Sequence, residues 1–459
     1  MSDWRLTVGM EVHVELQTQT KLFCGCKNDP FGSEPNTHVC PVCYGLPGAL
    51  PVINKKAVEM TVKLGQALKG KIAPETFWAR KNYFYPDLPK GYQISQSSAP
   101  LIENAVVTID GQDHRIHRIH LEEDAGKLMH APDKSHSLVN YNRAGVPLIE
   151  IVTEPDFDSA EAAKRFCQEL QRILRSLEIS SADMEKGLMR CEANISVSRQ
   201  DPKSQDPNPK MGTKVEVKNI NSFRSVEKAI QYEFDRQTKA LEAGETLQQE
   251  TRTWDENNSK TVVMRTKETS ADYRYFPEPD LPFVKTELKE AGVHALPEEQ
   301  RTRLADLGIP EDIASVIVDR GATQEIIDIG ENGRELALEA AKLLLAVPEF
   351  AELSTGAKTL LVSAKKENGW GNVFVQQMIQ NTERTDKDIE MEISLRRAPS
   401  HDLAAIAREV INENPKIVAD IAKGNQNAIN ALVGQVMKKT KGAANVAQAR
   451  SELEKQLKN

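Results

Sequence analysis

From Leu6 to Leu16 apolar and polar residues alternate without a break: Val8, Met10, Val12, Val14 and Leu16 take one parity, and Gly9, Glu11, His13 and Glu15 the other. Only an extended strand sorts side chains with a period of two, and its apolar parity must be covered. The other parity presents two carboxylates and an imidazole, all possible metal ligands. The solvated face of an edge or half-buried strand would give the same pattern, so the meaning of these groups rests on their neighbours.

Candidate neighbours recur along the chain. His120-Leu-Glu-Glu-Asp-Ala-Gly-Lys127 and Pro147-Leu-Ile-Glu-Ile-Val-Thr-Glu154 place carboxylates inside or beside strongly apolar strands. A buried carboxylate needs a compensating charge. Magnesium, which takes oxygen ligands and bridges to nucleotide phosphates, is one source; Lys127, Arg143 and Arg190 are another. Arg190, Glu192 and Asn194 alternate with Cys191, Ala193, Ile195 and Val197, and Lys214, Glu216 and Lys218 alternate with Val215 and Val217. Mixed charges on an otherwise buried sheet suit a site holding a metal ion and a triphosphate together.

The six cysteines of the 459 residues are too few for a disulfide framework. Four of them, Cys24-Gly-Cys26 and Cys40-Pro-Val-Cys43, form two close pairs joined by a short loop, which is zinc-site spacing. With four thiolates the shell is closed, so the ion would be structural. His38 is an alternative fourth ligand. Cys167 and Cys191 fall on apolar faces and read as core.

Two textures divide the chain. Up to about Gly292, short alternating strands mix with turn residues and a few amphipathic helices, an α+β pattern. The clearest helix opens at Asp158 and Ser159, with Ala163, Phe166, Cys167, Leu170, Ile173, Leu174 and Leu177 as its stripe. The stretch 201–210 reads as a surface loop between antiparallel strands. Beyond Glu298 the pattern is helical, with Leu336, Leu338, Ala341 and Leu344 at helical spacing, and Pro399 marks a further break before a helix at His401-Asp402. Three domains are expected: 1–292, 293–398 and 399–459.

No stretch of about 18 apolar residues suggests a membrane span, and no signal-peptide pattern opens the chain. The reading is of a cytosolic protein. A net charge of -8 tells against general nucleic-acid affinity, although from His401 onward nine Lys/Arg stand against six Asp/Glu. No P-loop, Gly-x-Gly-x-x-Gly or Gly-x-Ser-x-Gly string occurs. ATP chemistry would need another fold, and covalent hydrolysis has no obvious nucleophile.

Strings spread over residues 6–285 resemble the B-type component of the bacterial-type glutamyl/aspartyl-tRNA amidotransferases. They are Gly9-Met-Glu-Val-His-Val-Glu15, Arg80-Lys-Asn-Tyr-Phe-Tyr-Pro-Asp87, Gly91-Tyr-Gln-Ile-Ser-Gln96 and His120–Lys127, then Asn142-Arg143, Pro147–Pro155, Arg190–Ser196, Lys218–Phe223 and Asp272–Pro277. The resemblance implies a cradle-shaped, mainly antiparallel α+β domain with a glutamine-synthetase-like site, then helical domains. It implies a heterotrimer with a glutaminase subunit and a small wrapping subunit. It also implies use of ATP and Mg2+ to phosphorylate the side-chain carboxylate of misacylated tRNA(Gln) or tRNA(Asn), which channelled ammonia then amidates.

By the same resemblance His13, Glu123 and Glu150 are the magnesium ligands, with Glu11 beside them. Arg190, Lys214 and Lys218 are phosphate or nucleotide contacts, and Lys81, Tyr83 and Tyr85 line the site or the ammonia route. Zn2+ would be held by Cys24, Cys26, Cys40 and Cys43. In the tail, Gly434, Lys438, Lys441 and Gly442 are the expected tRNA contacts; a solvated basic helix end is the plainer reading of the same charges.

Overall fold

The structure, a computed structural model, describes residues 4–131, 133, 135–199, 211–266, 273–286, 295–397, 403–422, 426–440, 444 and 446–457. The chain divides into two compact units, Met1–Glu298 and Glu299–Asn459. The boundaries expected at 292/293 and 398/399 lie outside the described residues, as do the 201–210 loop and the His401-Asp402 helix start.

The strands of the first unit are β1 (Trp4–Glu15), β2 (Lys71–Ile72), β3 (Glu75–Thr76), β4 (Ala79–Asn82), β5 (Tyr92–Ser95), β6 (Ile102–Ile109), β7 (Gln112–Glu123), β8 (Lys127–His130), β9 (Ser137–Asn140), β10 (Pro147–Thr153), β11 (Met189–Arg199), β12 (Val215–Ile220), β13 (Glu250–Asp255), β14 (Lys260–Thr266), β15 (Phe276–Pro277) and β16 (Val284–Lys285). Nine of them build one sheet in the order β14-β13-β12-β11-β1-β10-β7-β6-β2. Every adjacent pair is antiparallel except β12 and β13.

β1 occupies the middle of this sheet rather than an edge. The helices of this unit are α1 (Pro41–Tyr44), α2 (Lys55–Ala67), α3 (Ala160–Ser176) and α4 (Phe223–Glu242), and the apolar parity of β1, Val8 to Val14, is buried in one core with residues of α2, α3 and α4. Helix α3 begins where its sequence says it should: the Ser159 hydroxyl accepts from the Ala162 N–H, and Phe166, Cys167, Leu170 and Leu174 are fully buried. The Phe166 ring meets Phe157 edge-on at 5.1 Å. With one face covered by helices, the opposite face of the sheet is left to carry polar groups.

The second unit is helical and has two separate apolar clusters, one between Leu304 and Ile393 and one between Ala407 and Leu453. In its helix Arg334–Ala346 the buried residues are Ala337, Ala340, Ala341, Leu343 and Leu344. Leu336 and Leu338 are not buried. Of the expected stripe, Ala341 and Leu344 face the core while Leu336 and Leu338 flank it, because the helix turns its alanines inward, where small side chains allow close approach. Among the described residues no helix is long and apolar enough to cross a membrane.

Candidate functional site

The polar parity of β1 meets polar groups on both sides. Glu150 of β10 lies opposite His13, and His120 of β7 lies opposite Glu150. On the other flank Arg190 and Glu192 of β11 lie opposite His13 and Glu11. Directly opposed residues on neighbouring strands share a face, so four strands converge on one patch.

Glu150 is the hub of this patch. Its carboxylate lies 3.5 Å from His13 Nε2, 3.4 Å from His120 Nε2 and 3.5 Å from Arg118 Nη2. His120 Nε2 also stands 3.5 Å from Glu122, and His13 Nε2 3.8 Å from Glu11. These groups form two overlapping sets able to share one cation, Glu11/His13/Glu150 and His120/Glu122/Glu150, with a third, Glu11/Glu192/Glu216, alongside.

Burial gives the patch unusual proton affinities. Glu11 is pushed up to about 7, by burial first and then by repulsion from Glu150 and Glu192. For His120, burial favours the neutral ring, but Glu150 and Glu122 outweigh it and push the group up to about 9. Burial opposes ionisation of Glu150 as well, yet the two imidazoles hold it well below the usual carboxylate range. A carboxyl that keeps its proton near neutrality marks a buried site where neighbouring carboxylates add to the cost of its charge. The Nδ1 atoms of His13 and His120 and Oε2 of Glu122 are buried without hydrogen-bond partners. Oxygen and imidazole ligands, unsatisfied atoms and a buried carboxyl that resists ionisation together fit a divalent cation.

The structure departs from the sequence expectation at Glu123. Two residues separate side chains on one face of a strand, so Glu122 joins His120 on the patch while Glu123 turns to the opposite side. There its carboxylate forms an ion pair with Lys90, with Oε2 at 2.5 Å, and accepts from the Ile94 N–H at 3.0 Å. Among the described residues Glu123 belongs to no cation-sharing group. The period-two spacing of His120 and Glu122 is the signal that favours Glu122. Lys90 and Arg118 carry no local signal.

The expected cationic contacts differ among themselves. Arg190 Nη1 is committed to Asp124 at 2.9 Å and lies 3.8 Å from Glu15. Glu15 is pushed up to about 8 by burial and by Asp124. Lys218 is paired with Glu192 at 2.6 Å and Glu216 at 3.4 Å. Lys214 lies just outside β12 and is exposed. Lys81, on β4, has no carboxylate within ion-pair distance among the described residues; its ammonium lies 5.0 Å from the Tyr273 ring centroid. Burial disfavours its charge, but Glu122, Tyr275 and Glu150 more than restore it. Tyr83 packs edge-on to Tyr273 at 6.1 Å, and burial lifts its phenol to about 12. Tyr85 is exposed.

The four cysteines of the N-terminal pairs converge. The Cys43 sulfur lies 3.5 Å from Cys24, 3.7 Å from Cys40 and 3.8 Å from Cys26. A tetrahedral zinc–thiolate shell with Zn–S near 2.3 Å requires sulfur separations of about 3.8 Å. The residues therefore fit a zinc ion without rearrangement. His38 stands outside this group, and its N–H donates to Asn142 Oδ1 at 2.9 Å. Cys167 and Cys191 are core residues, fully buried.

In the second unit, Gly434 and Lys438 lie one helical turn apart on the exposed side of the helix Ile429–Lys439, opposite buried Leu432, Val433 and Val436. Lys439 is paired with Glu409 and Glu413. Lys441 and Gly442 lie outside the described residues.

An α+β unit with a sheet face that gathers possible cation ligands and a cysteine lobe, followed by a helical unit, is the architecture in hand. Residues 6–291 match the family model described as the GatB/GatE catalytic domain, and residues 356–457 match that of the GatB domain. The chain belongs to the GatB/GatE family and, within it, to the GatB proteins of the aspartyl/glutamyl-tRNA(Asn/Gln) amidotransferases. It is 43% identical over 483 residues to the GatB-type amidotransferase component of Thermomicrobium roseum, covering 99% of both chains. It is likewise 43% identical over 476 residues to that of Clostridium tetani, covering 96% of both. The figure is 44% over 469 residues for that of Caldanaerobacter subterraneus, covering 96% of this chain and 97% of the relative.

Proposed function

We propose that the Glu150-centred patch phosphorylates, with ATP, the side-chain carboxylate of Glu-tRNA(Gln) or Asp-tRNA(Asn), and that ammonia then displaces the phosphate to give the amide. The observation that carries this is the convergence on Glu150 of two overlapping cation-sharing groups, Glu11/His13/Glu150 and His120/Glu122/Glu150, with Glu11 pushed up to about 7. The printed names of the relatives supply the substrate class. A carboxylate resists attack by ammonia, whereas an acyl phosphate carries a good leaving group, so one hard step becomes two easier ones.

Phosphoryl transfer asks for positioning and charge neutralisation rather than a protein nucleophile. In this reading Glu11, His13, Glu122 and Glu150 hold Mg2+, which neutralises phosphate charge when bound. His120 lies behind the ligands and keeps Glu150 ionised. Lys81, which has no carboxylate partner among the described residues, takes the phosphate or the substrate carboxylate. Arg190 and Lys218 hold their neighbouring carboxylates in place. The glutaminase and the small wrapping partner supply ammonia and close the assembly, and the Gly434–Lys438 face meets the tRNA backbone.

The test is reconstitution with both partner proteins, following γ-phosphate release from ATP in the presence of misacylated Glu-tRNA(Gln). Release by wild type and not by His13→Ala supports the reading. Equal release with continued amide formation would reduce this chain to a tRNA-binding scaffold. A pH dependence follows too. A divalent cation must displace the protons of both Glu11 and His13, so Mg2+ affinity climbs with pH, by about tenfold per unit for each proton still bound, and goes on climbing past about 7, where Glu11 has lost its proton, until His13 has lost its own. Calorimetric titrations that give the same affinity at about pH 5.5 and pH 8 would remove Glu11 from the ligand set.

A further inference from the structure

Lys21 is completely buried, and among the described residues no carboxylate forms an ion pair with it. Its ammonium instead donates to Cys43 Sγ at 3.5 Å and to the Tyr141 carbonyl at 3.2 Å. A buried, unpaired ammonium is costly, so an anion must compensate it. The potential anion it touches is the Cys43 sulfur, one of the four that would surround the zinc. Four thiolates around one zinc leave two net negative charges in the centre, which in turn need a cation close by.

We propose that Lys21 is the built-in counter-charge of the metal–tetrathiolate centre and, through Tyr141, its tie to the turn that carries Arg143. This rests on the reading of Cys24, Cys26, Cys40 and Cys43 as a zinc centre. The tie has a direction. The Leu22 N–H donates to the Gly145 carbonyl at 2.8 Å, so the chain at Lys21 and the 141–146 turn are joined through backbone as well. Arg143 then donates to the carbonyls of Ala125 and Gly126 at 3.0 and 2.9 Å and stands 3.7 Å from Asp124. The metal centre is thereby linked to the strand end that bears Glu122. Lys21 is a positioning residue: it touches the Cys43 sulfur, not the substrate.

Lys21→Met keeps length and apolar bulk and removes the charge. Zinc affinity, measured by competition with a chromophoric chelator, falls about 10-fold to 100-fold, the usual cost of losing an outer-shell partner. In the cobalt-substituted protein the sulfur-to-metal charge-transfer band moves to lower energy, because a thiolate relieved of a nearby cation gives up an electron more readily. A change of packing alone would not produce that shift. Lys21→Arg, which keeps the charge, retains the wild-type band. Wild-type affinity and an unchanged band in Lys21→Met overturn the proposal, and so does loss of metal in both variants, which marks a packing role. A wild type that takes up no zinc fails earlier, at the metal reading itself.

Discussion

Glu150→Gln lowers γ-phosphate release from ATP by about a hundredfold to a thousandfold, the range seen when one preorganised charge-stabilising group is lost. The substitution keeps shape and removes only charge, yet Glu150 is the one carboxylate common to both histidine-containing cation groups. With it neutral, His13 and His120 lose the anion that keeps them charged against burial. Removing one partner of a buried charge pair costs about 3–5 kcal/mol, so zinc content and thermal unfolding are measured on the same sample to separate loss of site from loss of fold. A folded Glu150→Gln protein with wild-type release would remove the patch from the chemistry. Paired variants sharpen the test: Glu122→Gln lowers Mg2+ affinity, while Glu123→Gln, whose side chain sits with Lys90, leaves it near wild type.

That contrast also marks how far the sequence can be read. The period of β1 and the capped stripe of α3 are local signals, and both elements stand where local chemistry puts them. The α+β texture followed by helices is legible for the same reason. Which strands flank β1 is not local. Registers such as His13 opposite Glu150 are fixed by long-range pairing, and nothing near residue 13 points to residue 150. Family resemblance names both residues, but of the adjacent glutamates in His-Leu-Glu-Glu it picks Glu123, whereas the parity of the strand puts Glu122 on the patch. Lys90 and Lys21 are invisible in the sequence because their partners, Glu123 and Cys43, are distant along the chain and the interactions exist only after folding. In the helix Arg334–Ala346, periodicity locates the helix while packing of small residues chooses its inward face.

Withdrawing zinc from the cysteine lobe, by a strong chelator or by Cys43→Ser, lowers the midpoint of thermal unfolding by roughly 10 °C, a loss of a few kcal/mol in a unit of this size. Between Cys24 and Val42 no residue is buried, and Cys43 is the first side chain after them to be so. A segment without a core cannot cover the entropy of its own ordering, so on the zinc reading of the four cysteines its cohesion comes from the metal. The loss spreads beyond the lobe. Gly45 ends the short helix Pro41–Tyr44 with φ of +64° and leaves room that Lys90 fills, since a Cβ there would stand 2.3 Å from Lys90 Cγ. The lobe thus forms one wall of the channel that holds the Lys90 stem against Glu123, and its collapse frees Lys90. Stability therefore falls on chelation and returns with zinc. Calorimetry of the chelated protein decides: an unchanged midpoint with zinc removed would show that the lobe holds its shape without a metal, and that Lys90 is positioned by the sheet alone.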